Sequence, residues 1–242
     1  MNAPIRRALV TGGSGGIGSA ICKRLAADGL EVIVHANSHL AAAETLAQQI
    51  VADGGQARAV AFDVTDAQAT AQALDALLEQ GPVQVLVNNA GIHDDAVFPG
   101  MQPAQWQRVI DVSLNGFFHV TQPLTLPMIR TRWGRIINIT SVSAVMGNRG
   151  QVNYAAAKGA LHAATKSLAL ELASRGITVN AVAPGIVDAG MGAGFSAEDI
   201  ARMVPMKRAG KAQEVADLVG FLASENAGYI SGQIISINGA MA

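Results

Sequence analysis

Residues 7–18 read RALVTGGSGGIG, and this stretch decides the fold. Its first four residues form a short apolar run of the kind that becomes a strand, Thr11 to Gly18 is a glycine-rich turn, and a helical pattern begins near Ile17. Glycines let a backbone approach a pyrophosphate closely, and the free N–H groups and dipole of a helix start favour negative charge. The stretch therefore predicts a strand, a phosphate-binding turn and a helix. A turn that merely joins a strand to a helix remains the alternative at this point.

The alternation of apolar runs and helical patterns continues along the chain. The predicted strands are Arg7 to Val10, Glu31 to His35, Ala57 to Ala61, Val83 to Val87, Arg135 to Ile139, Thr178 to Val182 and Ile234 to Ile237, and the predicted helices begin near Ile17, Leu40, Asp66, Pro103, Asn153 and Gln213. Strands this apolar, each followed by a helix, are typical of a parallel sheet covered on both faces. We therefore predict one α/β domain over residues 1–242, a Rossmann-type doubly wound parallel sheet of about seven strands with helices on both faces.

Three features mark where individual helices begin or end. Gly29 follows the first helix as a C-terminal cap, and Pro103 suits a first-turn position. Thr65 with Gln68 forms a capping-box pattern before the third helix.

The composition narrows the class of protein. Half of the 242 residues are hydrophobic and 14% are charged, which predicts a large buried core. A net charge of -1 without a basic cluster predicts no nucleic-acid partner, and five scattered histidines without ligand spacing predict no metal. Cys22 is the only cysteine, which favours a reducing, cytoplasmic location. The N-terminal residues MNAPIRRALVTGG are not expected to be a signal peptide, and no apolar run approaches the ~18 residues of a membrane span.

The segment SVSAVMGNRGQVNYAAAK, residues 141–158, is the candidate for catalysis. Tyr154 and Lys158 are four residues apart and would share one face of a helix. A neighbouring ammonium favours the phenolate, so it is expected to depress the pKa of Tyr154 and suit it to proton exchange with a carbonyl oxygen. Ser141 follows an apolar strand and is expected to face the same pocket. Chance spacing on an alanine-rich helix is the alternative for these residues alone.

Polar residues also follow three other predicted strands. Asn37 and Ser38 stand where a carboxylate would bind the adenosine ribose, and the missing carboxylate favours NADPH over NADH. Asp63 and Val64 are candidates for the adenine, with a helix-start carboxylate as the alternative for Asp63. The segment Asn88-Asn89-Ala90-Gly91 would place two amides in the ligand crevice, although turn chemistry alone also explains it.

These motifs together resemble the short-chain dehydrogenase/reductase family. The resemblance rests on TGGSGGIG, NNAG, Ser141 with YAAAK, and VAPG at residues 182–185, and it spans essentially the whole chain. Within the family, the segments MGNRGQVNYAAAKGAL and SRGITVNAVAPGIV are most similar to bacterial reductases of 3-oxoacyl-[acyl carrier protein].

The resemblance implies a role for each matching residue. Tyr154 would be the general acid, Lys158 would lower its pKa and bind the nicotinamide ribose, and Ser141 would hydrogen-bond the substrate carbonyl. The implied coenzyme contacts are Gly12, Ser14, Gly15, Gly16, Ile17, Gly18, Asn37, Ser38, Asp63, Val64, Asn89, Ala90, Gly91, Tyr154, Lys158, Pro184, Gly185 and Ile186. The resemblance also implies a homotetramer.

The sequence departs from the family pattern at three positions. Ser113 stands where the family usually has an Asn that steadies a water in the proton relay, and we predict that the relay survives through a longer water path from Lys158. Asn115 would face away from Ser113 unless the helix is distorted, because two residues rotate an α-helix by ~200°. Ala189 replaces a Thr that bonds the carboxamide, and Gly15 replaces the Arg of many NADPH-using relatives.

Two regions bear on the substrate. Residues 188–207 are rich in Gly and apolar side chains, and they suit a lid over a hydrophobic substrate chain, with gap-filling in the core as the alternative. The lid side chains would be Met191, Phe195, Met203 and Met206. The family resemblance makes Arg130, Arg132 and Arg175 candidates for docking an acidic carrier protein, with merely solvated arginines as the alternative. Asp94 and Asp95, near the pocket mouth, would repel such a partner.

The sequence-based hypothesis is an NADPH-dependent reductase of 3-oxoacyl thioesters, in fatty acid or related polyketide synthesis. A second enzyme hypothesis is a dehydrogenase of another alcohol, such as a sugar, a steroid or a 3-hydroxyacyl-coenzyme A. A hypothesis of another class is a nucleotide-sensing protein that has lost turnover.

Overall fold

The computed structural model describes residues 5–189 and 194–242. A single sheet of seven parallel strands has the order β3-β2-β1-β4-β5-β6-β7. Its strands are β1 (Arg7–Val10), β2 (Glu31–Ala36), β3 (Gln56–Ala61), β4 (Val85–Asn88), β5 (Gly134–Ile139), β6 (Ile177–Pro184) and β7 (Ile234–Ile237). The described helices are α1 (Gly16–Ala27), α2 (Leu40–Ala52), α3 (Ala67–Leu78), α4 (Pro103–Ile110), α5 (Gly116–Thr131), α6 (Ser143–Met146), α7 (Val152–Leu172), α8 (Ala197–Met203) and α9 (Ala212–Ala223).

The strand order reverses between β1 and β4, and this switch point positions the site. From β1 the chain winds outward to β3 on one side, then returns to β4 and winds to β7 on the other. Parallel strands bring their carboxyl ends to one edge of a sheet, and the crevice at a switch point is where such sheets bind ligands. The predicted fold class, an α/β Rossmann-type sheet of seven strands, is confirmed.

Alternate residues of the strands build a core on each face of the sheet. In β1, Ala8 and Val10 join the core under α1, α2 and α9, whereas Leu9 joins the core under α3, α5 and α7. Because both faces are covered, the central strands are fully buried, which explains why their sequences are mostly apolar. None of the helices in the described ranges has the length and apolar character needed to cross a bilayer.

The seven strands and the six predicted helix starts lie within about two residues of the predicted positions, whereas α5, α6 and α8 were not predicted. Gly29 has φ +88° directly after the capping residue of α1, and Pro103 occupies the first turn of α4, as predicted. The predicted capping box at Thr65 is wrong. Asp66 is the capping residue of α3, because its carboxylate accepts hydrogen bonds at 2.9 Å from the backbone N–H groups of Gln68 and Ala69.

A π-helical turn from Asp111 to Asn115 joins α4 to α5. A π turn widens the backbone by one residue and re-aims the side chains around it. The helix is therefore distorted at the position where the sequence departs from the family pattern. Ser113 lies within this distorted turn and is buried there.

Candidate active site

The glycine turn after β1 is held by backbone and side-chain hydrogen bonds from β4. The Thr11 hydroxyl accepts hydrogen bonds from the backbone N–H groups of Asn89 and Ala90, both at 3.0 Å. The Asn89 amide donates in return to the carbonyl oxygens of Thr11 and Gly12, also at 3.0 Å. From the other side, the Gly13 N–H donates to the carbonyl oxygen of His35 at 2.8 Å. The turn is therefore braced between β2 and β4.

The close approach of helix α1 to this turn requires Gly18. A Cβ atom at Gly18 would lie 2.3 Å from the Gly12 carbonyl oxygen and 2.8 Å from the Asn89 amide nitrogen. A Cβ atom at Gly15 would come close to only one atom, the Gly12 carbonyl oxygen, at 3.4 Å. Gly15 precedes α1 with no side-chain cap, so the first N–H groups of the helix have no side-chain partner there. This cradle fits the pyrophosphate of a dinucleotide. Ser14 and Ile17 are half-buried along it, and Gly16 is exposed.

The ends of β2 and β3 lie beside this turn. Asn37 and Ser38 are exposed immediately after β2, and neither neighbouring position holds a carboxylate. Asp63 is exposed after β3, but its Oδ1 accepts hydrogen bonds from the backbone N–H of Thr65 at 2.9 Å and from the Thr65 hydroxyl at 2.8 Å. The buried Val64 packs on Gly116 of α5. Asp63 thus has a local structural role, and the predicted adenine contact stays a prediction.

The two amides after β4 do not both face the crevice. Asn88 is buried and donates to the Thr121 hydroxyl at 3.0 Å and to Asn138 at 2.9 Å, in a polar network between β4, β5 and α5. Asn89 braces the glycine turn, and both hydrogens of its amide are engaged there. The sequence-based placement of both amides in the crevice is therefore wrong for Asn88.

The predicted catalytic residues converge beside the carboxyl ends of β5 and β6. Ser141 follows β5, and Tyr154 and Lys158 lie in the first two turns of α7 with 6% and 3% exposure. The Lys158 Nζ donates to the Ile139 carbonyl oxygen at 2.9 Å and lies 5.8 Å from the centre of the Tyr154 ring. The structure therefore brings the three side chains together, as the spacing predicted.

The expected depression of the Tyr154 pKa is wrong in this structure. Burial raises the pKa of Tyr154, a hydrogen bond with the Ser141 hydroxyl partly opposes the rise, and the charge of Asp95 adds to it. Burial also lowers the pKa of Lys158 to about 8. Desolvation is the largest cause of the pKa shift at both groups, because both side chains are almost fully buried. The phenol is therefore held in its protonated form, the form that donates a proton.

Ser113 and Lys158 face the same small space beside Gly91. A Cβ atom at Gly91 would lie 2.9 Å from the Lys158 Nζ and 3.6 Å from the Ser113 Oγ. Gly91 is therefore needed for the approach of Lys158, in addition to its predicted coenzyme contact. The Ser113 Oγ is buried and has no hydrogen-bond partner among the described residues. Asn115 is exposed and donates to Asp111 at 2.7 Å, so it faces away from Ser113 despite the π turn.

The chain after β6 passes close to Ser141. The Val142 N–H donates to the Pro184 carbonyl oxygen at 2.8 Å, and the Gly185 N–H donates to Ile237 of β7 at 3.0 Å. Gly185 passes so close to Asn238 that a Cβ would lie 2.8 Å from that residue. Ile186 and Ala189 are half-buried beyond it. This turn therefore lies beside Ser141, and the nicotinamide contacts of Pro184, Gly185 and Ile186 stay predictions.

A polar network at the mouth of the site escaped the sequence analysis. The Gln151 amide donates to Asp95 at 2.9 Å and accepts from the Ser143 hydroxyl at 3.0 Å, and the Ser143 N–H donates to the Ser141 Oγ at 3.1 Å. The fully buried Asn153 accepts from the Tyr154 N–H at 2.8 Å. These residues fix the orientation of Ser141 and the start of α7. The only hint of this network in the sequence is that Ser143, Gln151 and Asn153 lie shortly before the YAAAK motif.

The predicted lid is only partly described. Met191 lies outside the described residues. Phe195, Met203 and Met206 are all substantially exposed, at 46%, 37% and 63%, so these side chains do not fill gaps in the core. The segment is anchored by the buried Val204 and by a hydrogen bond from the Met206 N–H to Gly239 at 3.2 Å.

The three arginines predicted to dock a carrier lie at the opposite edge of the sheet. Arg130 and Arg132 precede β5, and Arg175 precedes β6, whereas Ser141 and the turn at Pro184 follow those strands. A six-residue strand spans about 20 Å. The acidic residue Asp94, near the catalytic edge, is paired with Gln105 and Arg108, which lower its pKa.

Among the described residues, no group of three or more His, Cys, Asp or Glu side chains could hold a metal ion.

A Rossmann-type sheet with a glycine turn at its switch point, and Ser, Tyr and Lys side chains at the adjoining strand ends, defines a dinucleotide-dependent oxidoreductase. Comparison with known proteins makes the assignment more specific. The family of short chain dehydrogenases matches residues 6–199, and the chain belongs to this family.

Several relatives match the chain over nearly its whole length. It is 44% identical to a 3-oxoacyl-[acyl-carrier-protein] reductase of Aggregatibacter actinomycetemcomitans, over 96% of this chain and 98% of the relative. It is 44% identical to nodulation protein G of Azospirillum brasilense, over 97% of each chain. It is 41% identical to an acetoacetyl-CoA reductase of Allochromatium vinosum, over 98% of each chain. The predicted family and the prediction of an NAD(P)-dependent oxidoreductase are thus confirmed.

Proposed function

We propose that this protein reduces the keto group of 3-oxoacyl thioesters to a hydroxyl group, with NADPH as the reductant. The observation that carries the proposal is the convergence of Ser141, Tyr154 and Lys158 beside the strand ends that adjoin the glycine turn. The names of relatives at 41–44% identity, which include reductases of 3-oxoacyl and acetoacetyl thioesters, support the substrate class.

The coenzyme preference rests on the end of β2. Asn37 and Ser38 are exposed there, where a carboxylate would repel a 2′-phosphate. Their side chains offer neutral donors to that phosphate, whereas Gly15 offers none. We therefore expect NADPH to bind more tightly than NADH. The difference in affinity should be smaller than the one that an arginine at position 15 would give.

Each catalytic side chain has a distinct task in the proposed reaction. The bound coenzyme supplies the hydride. The Ser141 Oγ accepts a hydrogen bond from the Ser143 N–H at 3.1 Å, and its own O–H, which is hydrogen-bonded with Tyr154 in this structure, would turn to the substrate carbonyl oxygen when substrate binds. The Tyr154 hydroxyl donates its proton to the same oxygen as it becomes an alkoxide, and the raised pKa of Tyr154 keeps that proton in place at neutral pH. Lys158 is the nearby cation, and Ser113 lies in the proposed path of proton resupply behind it.

The substrate chain and its carrier are further parts of the proposal. Phe195, Met203 and Met206 would cover the acyl chain, and their exposure is consistent with such a lid. Acyl carrier protein would dock on Arg130, Arg132 and Arg175.

Homotetramer formation is proposed from the family resemblance, with the exposed Phe118, Leu126 and Leu170 of α5 and α7 as available apolar surface. A reducing, cytoplasmic location is proposed from the single buried Cys22.

The test is a spectrophotometric screen of acyl thioesters with NADPH and with NADH. We expect turnover of acetoacetyl thioesters, faster with NADPH, and a loss of at least about 100-fold in kcat for Tyr154→Phe, because the general acid is removed. Tyr229→Phe is the matched control, since Tyr229 is the other tyrosine of the chain and is fully exposed. Turnover of sugars or steroids in preference to thioesters would favour the general alcohol dehydrogenase. Coenzyme binding without turnover of any carbonyl would favour the nucleotide sensor.

A further inference from the structure

His35 holds the glycine turn from the side of β2. The residue is 1% exposed, and its Nδ1 accepts a hydrogen bond from the Gly12 N–H at 3.0 Å. Its Nε2 lies 2.8 Å from the carbonyl oxygen of Phe62, the residue after β3, and the two rings pack with their centres 4.2 Å apart. One imidazole therefore ties the glycine turn to the ends of two neighbouring strands.

The two partners of the ring fix its protonation. A backbone N–H is only a donor, so the Nδ1 facing Gly12 must carry a lone pair. A carbonyl oxygen is only an acceptor, so the Nε2 facing Phe62 must carry the proton. Only the neutral tautomer with hydrogen on Nε2 satisfies both contacts. A protonated ring would direct an N–H group at the Gly12 N–H, and neither group would have an acceptor.

Gly12 is the residue of the turn whose displacement would matter most. Its φ of +60° lies in the left-handed region, and its carbonyl oxygen accepts from the Gly15 N–H at 3.1 Å and from the Asn89 amide at 3.0 Å. The same oxygen sets the closest approach of Gly18. A shift at Gly12 would therefore move the whole cradle that fits a pyrophosphate.

The surroundings favour the neutral ring. Burial lowers the pKa of His35, and the Phe62 carbonyl and the charge of Asp63 oppose that effect only in part. Asp63, just beyond β3, is the charged group that acts on His35 within the described ranges. On α1, Cys22 contacts Gly13 and stays a neutral thiol, because burial raises its pKa.

We propose that His35 is a positioning residue, which holds the glycine turn in its coenzyme-binding shape when neutral and releases it when protonated. Mild acid would then weaken coenzyme binding directly, apart from any effect on catalysis. This inference rests on the proposed use of NADPH by the same turn.

The experiment measures the Kd of NADPH by fluorescence titration from about pH 7.5 to about pH 5, where an ordinary histidine gains its proton. For the wild-type protein we expect binding to weaken toward pH 5 by as much as about tenfold, the effect of one opposed buried hydrogen bond. The weakening should begin below the pH at which an ordinary histidine titrates, because burial lowers the pKa of His35. His35→Asn keeps an acceptor oxygen at the δ position and does not titrate, so its profile should be nearly flat. His39→Asn removes the exposed histidine beside the proposed 2′-phosphate donors Asn37 and Ser38. Protonation of His39 would favour a phosphate, so acid weakening in His39→Asn should be at least as large as in the wild type. The coenzyme phosphates titrate equally in all three proteins.

Two further measurements keep the outcomes separate. Circular dichroism establishes that the proteins remain folded at pH 5, and nitrogen-15 NMR of the wild-type imidazole follows its protonation even if His35→Asn does not fold. Equal acid weakening in wild type and His35→Asn, or weakening while the imidazole stays neutral, would overturn the role of His35 alone. Absence of NADPH binding at every pH would overturn the proposed coenzyme use, and the role of His35 with it.

Discussion

At the scale of single residues, burial decides the electrostatics of this site more than the spacing of charges does. The sequence spacing correctly predicted that Tyr154 and Lys158 share a helix face, but it could not predict how deeply both are buried. Desolvation is a tertiary effect, so the direction of the Tyr154 pKa was predicted wrongly. The same burial makes Lys158 a costly residue for the folded protein.

Lys158→Met should therefore stabilise the protein while it abolishes turnover. The folded pKa of Lys158, about 8, lies below the value of about 10.4 for an unfolded lysine, so the unfolded chain binds more protons. Stability consequently rises with pH between these values, and the cost of the charge is complete at pH 7. Removing the charge should raise the unfolding free energy by on the order of 1–2 kcal/mol, since the Ile139 carbonyl loses its donor at the same time.

Urea unfolding at pH 7 and at about pH 10 measures this effect, and the gain should shrink at the higher pH. Lys166→Met, on the exposed part of the same helix, is the control and should change stability by less than about 0.5 kcal/mol. A Lys158→Met protein less stable than the wild type at pH 7 would contradict the prediction.

Substitutions at Ser113 test two different effects of its hydroxyl, one on stability and one on proton transfer. Its buried Oγ lacks a partner among the described residues, and such a group costs about 1–3 kcal/mol. Ser113→Ala should therefore raise the unfolding free energy by about 1 kcal/mol. If the hydroxyl also lies on the proton path, Ser113→Ala should lower kcat and Ser113→Asn should shift the pH profile of kcat. Unchanged turnover and pH profile in both variants would exclude a relay role at position 113.

At the scale of elements, the hydrophobic periodicity predicted every strand. It did not predict which side chains make contact between different elements. Strand alternation places Leu86 and Asn88 on one face of β4, so the sequence alone already indicates the inward orientation of Asn88. The Gln151–Asp95 contact joins residues 56 positions apart, and no local pattern signals it. The brace from His35 to Gly12 is hidden in the same way.

The glycine turn offers a matched pair of substitutions at this scale. Gly18→Ala would force a Cβ to 2.3 Å from the Gly12 carbonyl oxygen, so the turn and α1 must separate. Gly15→Ala meets the same oxygen at an ordinary 3.4 Å, with φ −79°. We expect Gly18→Ala to weaken NADPH binding by at least about tenfold and to lower stability by about 1–3 kcal/mol, the usual cost of overpacking. Gly15→Ala should stay near wild type. Calorimetric titration and thermal unfolding measure both, and equal losses in the two variants would contradict the argument.

At the scale of the whole molecule, the strand directions fix which surface faces the substrate. The arginines at positions 130, 132 and 175 precede β5 and β6, and their place at the far edge of the sheet could have been read from that order alone. The length of β5, about 20 Å, lies between them and the catalytic edge, so a carrier docked on them would have to extend its acyl group over that distance to reach the same chain's site. In the proposed tetramer, a carrier docked on these arginines could instead deliver its acyl group to the active site of a neighbouring subunit.

Charge reversal at the two edges distinguishes these arrangements. Arg132→Glu should raise the KM for an acyl group on acyl carrier protein by about three- to tenfold, since an acidic partner is repelled, and should spare the coenzyme A thioester. Arg149→Glu is the comparison, because Arg149 is exposed between α6 and α7 at the catalytic edge. The loss for Arg132→Glu should also grow smaller as salt is added, because exposed charges are screened. If Arg149→Glu alone impaired the carrier-bound substrate, the carrier would dock at the catalytic edge, and the far-edge arginines would have no part in substrate delivery.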